Sequence, residues 1–156
     1  MRLFRLWTLL GALLLVLAAC TGTPAPQPPQ VNRPNVPAPG ADSSVVTGQI
    51  LGTTTKAPIK QTPVYLAQIY WDTDHKNAAF ALDLARSPVT RTDDNGFFTI
   101  TDIKPAEYAL IIGDFYGRNE AVRESNGNAR IYKPEAGKTI DVGTLEVAPD
   151  LQVQAQ

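Results

Sequence analysis

The sequence contains a single cysteine, Cys20, and a single histidine, His75. One cysteine excludes an internal disulfide, and one histidine excludes any catalytic centre that requires several imidazoles. Charged residues make up only 19% of the chain, with 14 Lys+Arg against 15 Asp+Glu. Because nucleic-acid-binding proteins carry an excess of basic residues on one surface, we expect no nucleic-acid partner.

The longest uncharged run lies at the N terminus. Arg2 and Arg5 precede a 14-residue span without charge, Leu6–Ala19. This arrangement is typical of a secretory signal peptide, whose apolar segment is about 7–15 residues long. A permanent membrane-spanning helix needs about 20 apolar residues. We therefore predict a cleaved signal peptide over residues 1–19, and the alternative is a short membrane helix that stays uncleaved.

The run ends in Leu17–Cys20, "LAAC", which resembles the lipobox of bacterial lipoproteins. The resemblance implies a diacylglycerol on the Cys20 thiol, cleavage before Cys20, and a further acyl chain such as palmitate on the new amino group. Two or more acyl chains hold a protein stably at a membrane. We therefore expect a lipoprotein of the cell envelope, anchored through Cys20 to the extracytoplasmic side of a bacterial cell membrane or outer membrane.

Proline is concentrated just after this cysteine. Residues 21–44 contain seven of the thirteen prolines and only two charged residues, Arg33 and Asp42. Such a segment cannot bury enough apolar surface to fold, and it favours extended conformations of about 3.1 Å per residue. We predict that residues 20–44 are the lipidated cysteine and a disordered tether, and that residues 150–156 form a flexible tail.

From Val45 onward, short apolar runs alternate with turn residues every eight to twelve positions. This spacing is typical of an all-β sandwich or barrel. The runs predict seven strands: Val45–Gly52, Pro63–Trp71, Ser87–Thr92, Phe97–Thr101, Glu107–Asp114, Ala129–Pro134 and Lys138–Val147. We expect residues 45–149 to form a single seven-stranded β-sandwich of Greek-key type. The segment Asn77–Ala85 is ambiguous, and extended structure covering the sandwich is favoured over a short helix.

A turn at Asp94–Gly96 predicts a hairpin between the third and fourth of these strands. A two-residue Asn-Gly turn would place charges on the face that carries Phe98 and Ile100. A three-residue loop with Gly96 in the left-handed conformation pairs Thr92 with Phe98 instead. Burying an unpaired charge costs several kcal/mol, so we predict the three-residue loop, with Phe98 and Ile100 facing inward.

The segments "VTGQILG", "TRTDDNGFFTITDIKPAEYAL" and "AGKTIDVGTLEV" resemble the carboxypeptidase regulatory-like domains. These belong to a prealbumin-like β-sandwich group that includes collagen-adhesin B-type repeats. Thr92–Phe98 matches the hairpin signature, whereas Ala106 stands where the family usually has glycine. The resemblance implies the fold and an extracytoplasmic setting. It implies no single activity, because members serve as stalks, adhesin modules, enzyme appendages and carbohydrate-binding-like modules.

Aromatic residues beside acids form the candidate binding site, because they stack on sugar rings or anchor a protein partner. The candidates are Tyr70, Trp71, Asp72, Asp74, Phe115 and Tyr116. The alternative is that these aromatic residues cap the ends of the sandwich. His75 lies beside Asp72 and Asp74, but Lys76 breaks the calcium-loop pattern. We assign no metal, cofactor or catalytic residue.

Taken together, these patterns predict a non-enzymatic protein. The chain has no Gly-x-Ser-x-Gly elbow, and the enzymes known on similar sandwiches use several histidines. We expect a membrane-anchored, extracytoplasmic binding module whose partner is a glycan or a cell-envelope protein. The alternatives are a purely structural module of a surface complex and a small hydrolase or metal site around His75.

Overall fold

A computed structural model describes residues 33–148 of the chain. The predicted signal peptide, Cys20, most of the tether and the tail at 150–156 lie outside these residues. The described range contains no helix and nine β-strands. They are β1 Ser44–Gly52, β2 Pro63–Trp71, β3 Ala78–Ala81, β4 Val89–Arg91, β5 Phe97–Ile103, β6 Tyr108–Gly113, β7 Asn119–Ala121, β8 Ile131–Tyr132 and β9 Thr139–Val147.

The strands form two sheets. The small sheet has the order β5-β1-β9, and the large sheet has the order β3-β2-β6-β7, with β4 also pairing with β2 and β8 with β6. The small sheet combines an antiparallel pair, β1 with β5, and a parallel pair, β1 with β9. The chain crosses between the sheets four times. The predicted all-β sandwich is therefore confirmed.

The predicted number of strands is wrong, since residues 33–148 contain nine strands instead of seven. The large sheet is four strands wide, but each of its two edges consists of two short strands. β3 and β4 pair with different halves of β2, and β7 and β8 pair with different halves of β6. The sequence pattern missed β7, and it did not show that β3 continues the edge of the sheet instead of covering its face.

The core lies between the two sheets and is built from alternate residues of the long strands. Val64 and Leu66 of β2 face it together with Leu110 and Ile112 of β6, and each of the four is fully buried. Phe98 of β5 packs into the same cluster. Burying an aliphatic or aromatic side chain of this size contributes about 1.5–3 kcal/mol, so this alternation holds the sheets together.

The turn at Asp94–Gly96 forms as predicted. The Gly96 N–H donates to the Asp93 carbonyl (3.1 Å), and the Asp93 N–H donates to the Phe97 carbonyl (2.8 Å). Gly96 has a φ of 77°, and a Cβ atom there would lie 2.4 Å from the Ile50 carbonyl oxygen. Only glycine combines this conformation with so close an approach of another backbone segment.

The predicted hairpin pairing beyond that turn is wrong. Phe98 pairs with Gly48 of β1, and Thr90 pairs with Val64 of β2, so the strands on either side of the turn belong to different sheets. The reason is a long-range partner, because the Thr92 N–H donates to the Thr62 carbonyl (3.0 Å). The inward orientation of Phe98 is nevertheless confirmed, since only 2% of it is exposed.

The sandwich has two ends, which place the loops. At the upper end β2 finishes and β6 begins, because Gln68 pairs with Tyr108. At the lower end β2 begins and β6 finishes, because Val64 pairs with Ile112. β5 ends at Ile103, shortly before β6 begins at Tyr108, so β5 also finishes at the upper end. β1 begins beside Ile103, and the chain therefore enters β1 at this end.

The last residues of the expected tether contact the outer face of the small sheet. Arg33 forms an ion pair with Asp141 of β9, and its guanidinium lies 5.7 Å from the ring centre of Phe97 of β5. Asp141 pairs with Thr47 of β1, and Phe97 pairs with Gln49. These partners lie three and five residues beyond Ser44, which places them about 10–17 Å from the start of β1. Residues 33–43 therefore run back along this face to the upper end before β1 begins.

Candidate functional site

The structure does not bring the six predicted binding residues together. Tyr70 and Trp71 end β2 at the upper end of the large sheet, and Asp72 and Asp74 follow them in the next turn. Phe115 and Tyr116 follow β6 at the lower end. Because β2 spans the sheet from end to end, the two groups are separated by about 25 Å.

At the lower end, Phe115 folds back over the outer face of the large sheet. Its ring meets that of Tyr65 edge-on, with centroids 6.4 Å apart, and that of Tyr116 at 4.9 Å. The Asp114 carboxylate accepts the backbone N–H groups of Tyr116 (2.8 Å) and Gly117 (3.1 Å), which shapes the turn. Phe115 therefore acts as a structural cover, whereas Tyr116 remains 83% exposed.

At the upper end, Asp72 organises the turn between β2 and β3. Its carboxylate accepts the Lys76 N–H (2.8 Å) and the side-chain amide of Asn77 (2.7 Å). The bonds from Asn77 and Lys76 lower the pKa of Asp72, with the side-chain bond from Asn77 having the largest effect. Both carboxylate oxygens of Asp72 are therefore engaged within the turn. Asp74 lies exposed in the same turn.

His75 is exposed and has a φ of 53°. Its ring stacks on that of Trp71, with centroids 6.1 Å apart and planes inclined by 17°. Across residues 33–148, no group of three or more His, Cys, Asp or Glu side chains is placed to hold a metal ion. His75 therefore packs against Trp71 in this turn.

Trp71 is held from two directions although 38% of it is exposed. Its indole N–H donates a hydrogen bond to the Glu107 carboxylate, and His75 stacks on its ring. The other oxygen of Glu107 lies 2.6 Å from the Lys133 ammonium group. The bonds from Lys133 and then Trp71 lower the pKa of Glu107, so the carboxylate stays ionised and keeps the indole in place.

Consecutive strand residues point to opposite faces, so Tyr70 and Trp71 line different cavities. Trp71 faces the outer side of the large sheet. Tyr70 faces the side of the core, where its hydroxyl donates to the Gln68 side chain (3.3 Å). It borders a groove of about 420 Å³ at the open edge of the sandwich, which also contains Asp83 and Lys104.

The cavity beside Trp71 is here named the outer cleft. It has a volume of about 450 Å³ and lies on the outer face of the large sheet at the upper end. That volume is within the range of small-molecule sites, about 300–1,000 Å³. The outer cleft is lined by Ile69, Trp71, Lys76, Asn77, Ala78, Phe80, Arg123, Gly127, Asn128, Ala129 and Ile131.

Strand pairing explains how these distant residues meet. Ile69 pairs with Phe80 and Trp71 pairs with Ala78 across β2 and β3, so the two aromatic rings share the outer face. On the other side, Ala109 pairs with Ile131 of β8, which brings the segment after β7 up to the cleft. Three residues with small or no side chains, Ala78, Gly127 and Ala129, are also part of the lining.

Sequence reasoning found Trp71 but missed Phe80, Arg123 and Asn128. Phe80 is 44% exposed and lies in a short edge strand. Its alternation with Leu82 and Leu84 was a usable signal, because it marks an extended segment. The register that places Phe80 beside Trp71 depends on pairing with β2, which no local pattern reveals.

Within residues 33–148, the structure has no helix long and apolar enough to cross a membrane.

The chain matches no family model and no curated protein. Among solved structures, it is similar to the major pilin subunit BcpA of Bacillus cereus (14% identity, 70% of this chain and 30% of that one, TM-score 0.39). It is also similar to PA1324 of Pseudomonas aeruginosa, provisionally described as a carbohydrate binding protein (15% identity, 72% of this chain and 99% of that one, TM-score 0.39).

A third similar structure is an enzyme, 3-chlorocatechol 1,2-dioxygenase from Rhodococcus opacus (16% identity, 78% of this chain and 70% of that one, TM-score 0.36). The chain spans less than a third of the pilin's length. Similarities this low carry no statement about function. Membership of the carboxypeptidase regulatory-like group stays a prediction.

Proposed function

We propose that this chain is a lipid-anchored extracytoplasmic protein whose β-sandwich binds a saccharide in the outer cleft without catalysing a reaction. The anchor rests on the segment Leu17–Cys20, which follows an apolar run of signal-peptide length. The binding role rests on the side chains of the outer cleft. The observation that carries it is the ring of Trp71, which is partly exposed and is contacted by both Glu107 and His75.

Sugar rings offer apolar C–H faces and a periphery of hydroxyl groups. The outer cleft offers matching groups, since Trp71 and Phe80 provide exposed aromatic surface and Asn77 and Asn128 provide amide donors and acceptors. A ligand site typically combines an apolar lining with a few placed polar groups. This composition therefore supports a saccharide better than a purely apolar ligand.

The fixed position of Trp71 supports the proposal further. A mobile exposed indole would lose side-chain entropy when a ligand ordered it, about 0.5–1.5 kcal/mol per side chain. Glu107 and His75 already restrict Trp71 before any ligand arrives. The contacts of the free protein therefore lower the cost of binding.

The test is a glycan-array screen with the full-length protein extracted from membranes in detergent, followed by calorimetric titration of each bound saccharide. We expect Trp71→Ala and Phe80→Ala each to weaken binding at least tenfold, the magnitude of an aromatic anchor. Tyr70→Ala is the matched control, because Tyr70 is adjacent in sequence but faces the other side of the sheet. Its variant should bind as the wild type does.

Two results would refute the proposed binding role. One is that no saccharide binds while a pull-down captures a protein whose binding is lost in Trp71→Ala. The other is that no ligand of either kind is found, which would favour a structural module of a surface complex. Equal losses in Trp71→Ala and Tyr70→Ala would place the ligand outside the outer cleft.

A further inference from the structure

The polar side chains that line the outer cleft are either positively charged or neutral. Lys76 reaches it from the turn between β2 and β3, and Arg123 reaches it from the segment after β7. The remaining polar side chains are the neutral amides of Asn77 and Asn128, together with the indole of Trp71. Within the described part of the chain, the lining therefore carries two positive charges and no carboxylate.

This charge is opposite to that of the chain as a whole. Without Arg2 and Arg5 of the predicted signal peptide, 12 basic residues face 15 acidic ones. A positive cleft in a weakly acidic protein is a local feature and does not follow from composition. A concave site lined by one sign of charge concentrates ligands of the other sign.

Two acids lie next to the lining. The Asp72 carboxylate accepts the Asn77 side-chain amide (2.7 Å) and the Lys76 N–H (2.8 Å), so both of its oxygens are engaged within the turn, and its one negative charge stands against the two positive charges.

The second acid, Glu107, lies behind Trp71. Glu107 is bonded to Trp71 and lies 2.6 Å from the Lys133 ammonium group. Lys133 therefore neutralises Glu107 in place, while Lys76 has no ion-pair partner among the described residues. Lys76 and Arg123 remain available to a ligand.

Arg123 is held by its own loop. One of its guanidinium nitrogens donates to the Gly127 carbonyl (2.7 Å), and the Glu124 N–H donates to the Asn128 carbonyl (2.8 Å) to close the turn. A guanidinium has five N–H donors, so this bond leaves others unused. An arginine side chain that is held in place can donate two parallel hydrogen bonds to one carboxylate or sulfate group.

We infer that the outer cleft selects an acidic saccharide, one whose sugar residues carry carboxylate or sulfate groups, through Lys76 and Arg123. The inference rests on the proposed function and specifies its ligand class. Trp71 and Phe80 contact the apolar faces of the sugar rings, and the two cations contact the acidic substituents. The cations therefore set the preference among saccharides, whereas the aromatic rings supply contact area.

The experiment compares three oligosaccharides of equal length by calorimetry: a neutral galactan, its uronate counterpart and a sulfated galactan. We expect at least one acidic form to bind tenfold or more tightly than the neutral form at low salt. That advantage should shrink as sodium chloride rises from 50 to 300 mM, because salt screens exposed charges. The uronate and sulfate measurements show which acidic group is preferred.

Lys76→Gln and Arg123→Gln should each reduce the binding of the acidic saccharide several-fold, and by a larger factor than they reduce the binding of the neutral one. Arg123→Lys keeps the charge but loses the paired contacts, so its preference for the acidic saccharide should lie between those of the wild type and Arg123→Gln. Lys56→Gln is the matched control, since Lys56 pairs with Glu146 away from the cleft. If the neutral saccharide binds in a Trp71-dependent way and the acidic saccharides bind no more tightly, this inference is wrong and the proposed function still stands. A complete lack of saccharide binding would overturn the proposed function with it.

Discussion

The indole N–H of Trp71 donates a hydrogen bond to the carboxylate of Glu107, 36 residues further along the chain. Trp71 ends β2, and Glu107 immediately precedes the neighbouring strand β6. The bond joins the aromatic wall of the outer cleft to a carboxylate that Lys133 also contacts. The position of Trp71 is therefore coupled to the ionisation of Glu107.

This coupling predicts an acid-dependent change in tryptophan fluorescence. Lys133 and Trp71 lower the pKa of Glu107, so the ionised form is favoured in the folded protein. Its stabilising effect is present above the ordinary glutamate pKa, about 4.3, and is lost as pH falls through the lower folded value. We expect Trp71 emission to shift in that acidic window and Glu107→Gln to abolish the shift.

Trp71 suits this measurement because the other tryptophan, Trp7, lies in the predicted signal peptide. Glu135→Gln is the matched control. The pKa of Glu135 is also lowered, in its case by Lys138, and the pair contacts neither Trp71 nor Glu107. A fluorescence step that persists in Glu107→Gln, or disappears in Glu135→Gln, would contradict the coupling.

A second prediction concerns the close approach at Gly96. Gly96→Ala should destabilise the fold by more than the 1–2 kcal/mol expected for an alanine in the left-handed conformation. The added Cβ would also lie 2.4 Å from the Ile50 carbonyl oxygen. Gly137→Ala is the control, because Gly137 has a φ of 72° but no neighbouring atom of residues 33–148 within 4 Å of its Cβ position. Thermal unfolding that shows equal losses for both variants would rule out the steric contribution.

A third prediction concerns the contact of Arg33 with Asp141. The pKa of Asp141 is lowered first by the Gly143 N–H and then by Arg33. Both partners are about half exposed, so Arg33→Ala should change the free energy of unfolding by less than about 1 kcal/mol. Hydrogen exchange in residues 34–43 should nevertheless accelerate, because this segment loses its attachment to the sheet.

Lys56→Ala provides the comparison for Arg33→Ala, since it removes a similarly exposed ion pair, with Glu146, from another part of the small sheet. Exchange in residues 34–43 should be unchanged in this variant. Identical exchange in the two variants would show that Arg33 does not hold the segment against the sheet.

The fourth prediction concerns the anchor. Intact-mass measurement of membrane-extracted protein should show a chain that begins at Cys20 and carries the mass of the added acyl groups. Cys20→Ala should retain residues 1–19 and lack the lipid, whereas Thr21→Ala should be processed normally. Wild-type protein with an unmodified Cys20 and an intact leader would disprove the lipoprotein assignment.

The long strands could be predicted from sequence because each carries its own apolar pattern. The predicted Pro63–Trp71 has the bounds of β2, and the predicted Val45–Gly52 differs from β1 by one residue. β7, by contrast, has only three residues, Asn119–Ala121, too few for a periodicity to be visible. The hairpin prediction failed for another reason, because the partner of Thr92 is Thr62 and not a residue across the turn.

The site was less predictable than the fold. The sequence pattern of an aromatic residue near an acid indicated Trp71, but it indicated Phe115 equally, and Phe115 packs on Tyr65. The two cannot be told apart without knowing that β2 and β6 place them at opposite ends. No local pattern indicated Arg123, since only the pairing of β8 with β6 brings its segment to the cleft.

The Arg33 contact also distinguishes the two outer faces of the sandwich. Arg33 lies on the outer face of the small sheet, and the outer cleft opens on the outer face of the large sheet. None of the residues that line the cleft belongs to residues 33–43. A ligand can therefore occupy the cleft while this segment stays in place on the small sheet.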